Sequence, residues 1–138
     1  MLKYFFAIVF SLFSAVVLAE TAKTSPASSM TYTQAETNIV VTAASPKFMI
    51  KLESNPTTGY SWFLHEYDPE LVQPVKHEFK QGDKKLIGAP GYELWTFRIM
   101  PKGFIVPQQT SIRMSYARPW EGVDNTTQVV FRISTQSK

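Results

Sequence analysis

The sequence predicts an all-β fold, an antiparallel sandwich of about seven short strands without a disulfide. Three observations carry this. Apolar and polar residues alternate with a period of two through most of the chain beyond residue 37, the pattern of strands with one buried face. Nine prolines and six glycines punctuate the chain, and no stretch gives a capped, 3.6-period helix of useful length. There is no cysteine, so disulfides, thiolate metal sites and a lipid-bearing cysteine are all excluded.

The chain opens with Lys3 followed by an uncharged apolar run over residues 4–18. That run is shorter than the ~20 residues a membrane span needs. Val17, Leu18 and Ala19 form a small-residue cleavage signal before Glu20. Residues 1–19 are therefore expected to be a cleaved signal peptide. An uncleaved anchor is disfavoured because Glu20-Thr21-Ala22-Lys23 lacks a basic stop-transfer cluster. The expected destination is export, periplasmic or secreted. Cleavage would leave 119 of the 138 residues and lower the formal charge from +3 to +2. The remaining basic residues are scattered, which argues against nucleic acid and, for the mature form, against a membrane. Residues 20–36 are small and polar and read as a flexible tail; residues 37–138 read as the folded domain. Asn125-Thr126-Thr127 is a formal glycosylation sequon, meaningful only in a eukaryote.

The expected strands, in order, are 38–43, 47–53, 60–65, 72–79, 94–100, 111–116 and 128–134. Phe48, Ile50 and Leu52 share one face of the second, and Trp95, Phe97 and Ile99 one face of the fifth. Ile112, Met114 and Tyr116 alternate in the sixth, and Val129, Phe131 and Ile133 in the seventh. If each strand turns back on the last, the connections 54–59, 80–91 and 117–126 lie at one end of the domain. They are also the three most unusual segments of the chain.

The first is Asn55-Pro56-Thr57-Thr58-Gly59-Tyr60. Proline fixes its own φ and biases Asn55 toward extended backbone, while Gly59 permits positive φ. On its own it reads as a well-made turn. The second, Leu86-Ile87-Gly88-Ala89-Pro90-Gly91, reads as a hairpin connection or as backbone that another chain approaches closely. It lacks the ending of a phosphate loop. In the third, Arg118-Pro119-Trp120-Glu121-Gly122, Trp120 is either a displayed hot-spot residue or a flap over the end of the sandwich. Trp62, within a strand, reads as a core pin.

Taken together, the Asn-Pro-Thr-Thr-Gly-Tyr of 55–60, the Gly-x-x-Gly of 88–91 and Tyr116-Ala117-Arg118-Pro119-Trp120 resemble, in order and spacing, the chagasin family of cysteine protease inhibitors. The resemblance covers roughly residues 36–135. It implies an immunoglobulin-like sandwich and a reversible, tight-binding, monomeric inhibitor of papain-like cysteine proteases, with no cofactor. The loops 55–60, 86–91 and 118–122 would occlude the active-site cleft. The protease-binding residues it implies are Asn55, Pro56, Thr57, Thr58, Gly59 and Tyr60, then Leu86, Gly88, Ala89, Pro90 and Gly91, then Arg118, Pro119 and Trp120. Thr57 would lie nearest the catalytic cysteine and histidine, the second loop along the non-primed side, and Arg118 and Trp120 over the primed side. Pro90 departs from the family pattern and removes one backbone donor.

Two other classes compete. An enzyme would need a nucleophile and a base, but His65 and His77 fall in or beside strands away from the loops, and no Ser–His–acid set is apparent. Glu66, Asp68 and Glu70 would sit at the opposite end, as a solvated turn rather than a metal site. A carbohydrate- or protein-binding module could use Trp120 and Tyr92 as stacking platforms.

Overall fold

The computed structural model describes residues 29–82, 88–122 and 126–138. The expected signal peptide, residues 1–19, and the sequon's Asn125 lie outside them. The described residues form eight strands: β1 (Met30–Thr33), β2 (Asn38–Thr42), β3 (Lys47–Ser54), β4 (Ser61–Tyr67), β5 (Val72–Lys80), β6 (Gly91–Ile99), β7 (Gln109–Ala117) and β8 (Thr127–Gln136). They make two four-stranded sheets, ordered β1-β3-β6-β5 and β2-β8-β7-β4. The N-terminal edge strands β1 and β2 pair parallel, with β3 and β8 respectively, and every other ladder is antiparallel.

The alternation seen in the sequence is the packing of the core. Phe48, Ile50 and Leu52 of β3 face Phe97 and Ile99 of β6 on one sheet. Ile112 and Met114 of β7 and Phe131 and Ile133 of β8 face inward from the other, and all are buried. The rings of Phe48 and Phe97 stack at 5.7 Å. Burying each such side chain is worth ~1.5–3 kcal/mol, which lets a domain without cross-links close on hydrophobic packing alone. Trp62 is buried in the same core, as expected of it.

Two boundaries differ from the sequence expectation. Residues 20–36 were expected to form a tail, yet Met30–Thr33 within them are a strand paired residue for residue with β3. Composition overlooks this because the stabilising partner is backbone, with Tyr32 packing on the core as the side-chain contribution. The fifth expected strand began at residue 94, whereas β6 begins at Gly91. The cause is Glu93, an acid on the inward face, 3% exposed, which breaks the apolar alternation that marks a strand.

The strand directions place the described residues that follow β3, β5 and β7, namely 55–60, 81–82 with 88–90, and 118–122, at one end, as parity required.

Candidate functional site

Between β3 and β4, Pro56–Thr58 make one turn of 3₁₀ helix. The Thr58 amide donates to Asn55 O (3.2 Å) and the Gly59 amide to Pro56 O (3.0 Å). Gly59 closes the turn in the left-handed region, at φ +80 and ψ 0, where a side chain is strained. A Cβ there would also stand 3.3 Å from Cη2 of Trp120. The threonines brace the turn: Thr57 Oγ1 donates to Asn55 Oδ1 and Thr58 Oγ1 to Asn55 O, each at 2.6 Å. Pro56, Thr57 and Thr58 are exposed, so the tip is neutral, polar and short.

The third loop clamps the first. The Glu121 amide donates to Arg118 O (3.1 Å), closing a turn with Pro119 at its second position. Arg118 Nε donates to Thr58 O (3.1 Å), its Nη1 meets Glu121 Oε1 (3.1 Å), and its guanidinium lies 4.6 Å from the centre of the Tyr60 ring. Below, Tyr60 stacks on Tyr116 at 5.3 Å and Tyr116 meets Trp62 at 5.0 Å. The Tyr116 hydroxyl accepts the Asn55 amide (2.9 Å). Arg118 is thus mainly a strut holding the turn. Trp120 is 75% exposed, its ring edge against Gly59 and not over the end of the sandwich, so it is displayed.

Of the second loop, Gly88, Ala89, Pro90 and Gly91 are described, and Leu86 lies outside the described residues. Gly88 (φ +81) and Pro90 are exposed. Gly91 is buried and pairs with Ser54. A Cβ on it would approach Lys80 O to 2.4 Å. The close backbone neighbour that this glycine admits is therefore the protein's own β5. The three segments thus form one surface, joined through Arg118 on one side and the Ser54–Gly91 pairing on the other.

A family model described as the chagasin family peptidase inhibitor I42 matches residues 42–134, from β2 through all three loops to β8. The chain belongs to the chagasin family. Chagasin of Trypanosoma cruzi is 32% identical over 77 residues, a match covering 53% of this chain and 66% of that protein. The fold also matches solved structures. The cysteine protease inhibitor EhICP2 of Entamoeba histolytica superposes with a TM-score of 0.60 at 20% identity, over 79% of this chain and 95% of that one. Amebosin gives 0.56 at 20%, over 80% and 98%. PbICP-C, solved in complex with falcipain-2, gives 0.52 at 19%, over 78% and 89%.

In this chagasin-family chain the residues singled out as rivals go elsewhere. Glu66 lies 3.4 Å from Arg113, Glu70 pairs with Lys102, and Asp68 Oδ1 accepts the Glu70 amide, so the acids disperse into separate contacts. The face of Tyr92 is covered by Lys51, whose Nζ lies 4.1 Å from the ring centre, so Tyr92 and Trp120 do not form a paired platform. His77 lies in β5, partly exposed, and reaches a buried acid. Its Nε2 sits 2.7 Å from Glu93 Oε2, and its ring stacks on Trp95 at 3.9 Å. Glu93 Oε1 also accepts from Ser54 Oγ (2.8 Å) and the Trp62 amide (3.1 Å). Sequence reasoning passed over Glu93. The available signal was an acid in register with the inward Trp95 and Phe97.

Proposed function

We propose that this chain is a reversible, tight-binding inhibitor of papain-like cysteine proteases, exported through a cleaved signal peptide, that fills the enzyme's cleft with the loops 55–60, 86–91 and 118–122. The observation that carries this reading is the braced 3₁₀ turn at Pro56–Thr58, with two exposed threonines and no charge at its tip. The catalytic pair of such a protease is a thiolate beside an imidazolium. A hydroxyl can accept from the imidazolium or donate to the thiolate without burying an unpaired charge. Thr57 Oγ1 gives its proton to Asn55, so toward a protease it would act as an acceptor, for the imidazolium.

The same turn explains why insertion would not lead to cleavage. A protease attacks a peptide held extended across its cleft at close range. The helical turn at Pro56–Thr58, closed by two backbone hydrogen bonds and fixed by Arg118, holds its carbonyls out of that pose. No covalent step contributes, so affinity rests on the internal bracing of the 55–60 turn and of residues 118–121, which lowers the cost of ordering them on binding. Trp120, exposed beside the turn, supplies the aromatic anchor, and Gly88, Ala89 and Pro90 present mostly backbone.

Titration of active papain with the mature domain tests the reading. It should abolish activity stoichiometrically and reversibly, while trypsin, whose cleft differs in shape, stays active. Inhibition of both enzymes, or of neither, would rule the proposal out.

A further inference from the structure

We propose that Glu93 is the positioning residue of the inhibitory end: its buried carboxylate ties the two stems of the 55–60 loop to the strand that starts at Gly91. The inference rests on the reading of that loop as the inhibitory wedge. β3 and β4 belong to different sheets and share no ladder. The stems of the loop between them therefore lack the backbone pairing that holds a hairpin's ends together. Ser54, the last residue of β3, and Trp62, the second of β4, instead meet on one oxygen of Glu93, at 2.8 and 3.1 Å.

The carboxylate's other oxygen is taken by His77 of β5 at 2.7 Å. One side chain thus joins β3, β4, β5 and β6 immediately beneath the first loop and beside the stem of the second. Two further ties cross the gap, Trp62 Nε1 to Glu53 O (2.8 Å) and the Asn55 amide to the Tyr116 hydroxyl (2.9 Å), but neither reaches the second loop's strands. A charged group here is a poor way to gain stability, since an apolar side chain of similar volume usually packs as well or better. What a carboxylate offers instead is three directed hydrogen bonds, and these specify where the stems sit.

The test separates position from stability. Glu93→Leu leaves the Ser54 hydroxyl and the Trp62 amide without an acceptor. Inhibition of papain should weaken about ten- to a hundredfold, and the Asn55 amide should exchange with solvent faster relative to the amides of β7 and β8. Both changes should appear whether the melting temperature falls or rises. Glu93→Gln keeps an acceptor oxygen for both stems and should bring inhibition back to within about threefold of the parent. A core variant, Ile133→Val, should lower the melting temperature with no selective change at Asn55. Parent-like inhibition and exchange in Glu93→Leu, or no rescue by Gln, would overturn the proposal. If Glu93→Leu does not fold, Ser54→Ala removes a single tie, and unchanged inhibition together with unchanged Asn55 exchange in it would overturn the proposal equally. Failure of the parent to inhibit papain would sink the functional reading alone. The exchange comparison needs no protease and still decides the role of Glu93.

Discussion

Trp62 and Trp120 are one residue type in opposite settings, 3% and 75% exposed. Trp62 fills the core and spends its only polar atom on Glu53 O, so Trp62→Ala should cost ~3–5 kcal/mol of folding stability. Trp120 touches the domain mainly through its edge at Gly59. Trp120→Ala should leave the melting temperature within a degree or two of the parent, yet weaken protease binding by ~2 kcal/mol or more, as at an interface hot spot. Thermal melts and inhibition constants on both variants check this, and a Trp120→Ala protein that unfolds easily would contradict a displayed role. The sequence separated the two only in part. Strand alternation placed Trp62 inside, but a tryptophan on a turn reads equally as a flap until the path of the loop is known. Arg118 was legible as a loop residue, while its bond to Thr58 O joins residues 60 positions apart and leaves no local pattern.

At the scale of elements, a period of two was clearest in β3, β6, β7 and β8, because each alternates buried with more exposed residues along most of its length. It failed at β1, which is held largely by backbone pairing, and at the start of β6, where an inward Glu93 resembles the exterior. The turn at 55–60 was legible in its stiffness through Pro56 and in its reversal through Gly59, since both act on the backbone directly. Its 3₁₀ form was not, because it depends on bonds from Arg118 and Tyr116. From this geometry the 55–60 loop should survive prolonged incubation with active protease. In Gly59→Val, strain at positive φ and the collision with Trp120 should distort the turn, giving weaker inhibition and a new cut between residues 55 and 60. Mass spectrometry of both mixtures over time distinguishes the cases. Steady cleavage of the parent loop would mean that it behaves as a slow substrate.

The whole molecule must hold three loops on one end of a sandwich while its four sheet edges stay out of contact with other copies. Unpaired edge strands invite edge-to-edge association, and each edge here is blunted differently. β1 and β2 are only four and five residues long. The pairing of β4 shifts register between Leu64 and Glu66. β5, nine residues long and largely exposed, is the edge most in need of protection. Its pairing with β6 shifts between Pro74 and Lys76, and Lys76 and Lys80 flank Glu78 at 3.0 and 3.1 Å. Hydrogen bonds from Lys76 first and then Lys80 hold the Glu78 carboxyl below its usual pKa. The cluster therefore stays paired as pH falls, until that lowered value is crossed. At so exposed a site its contribution to stability is small; its consequence is a charged edge that a second copy would have to desolvate. The domain should accordingly be monomeric, and the double variant Lys76→Thr, Lys80→Thr should self-associate at concentrations where the parent does not. Its inhibition of papain per folded monomer should be unchanged, because both substitutions lie within β5 and leave the residues of the three loops as they are. Sedimentation of the two proteins over a concentration series provides the measurement. A double variant as monomeric as the parent would show that the register shift at Pro74 guards this edge without the lysines.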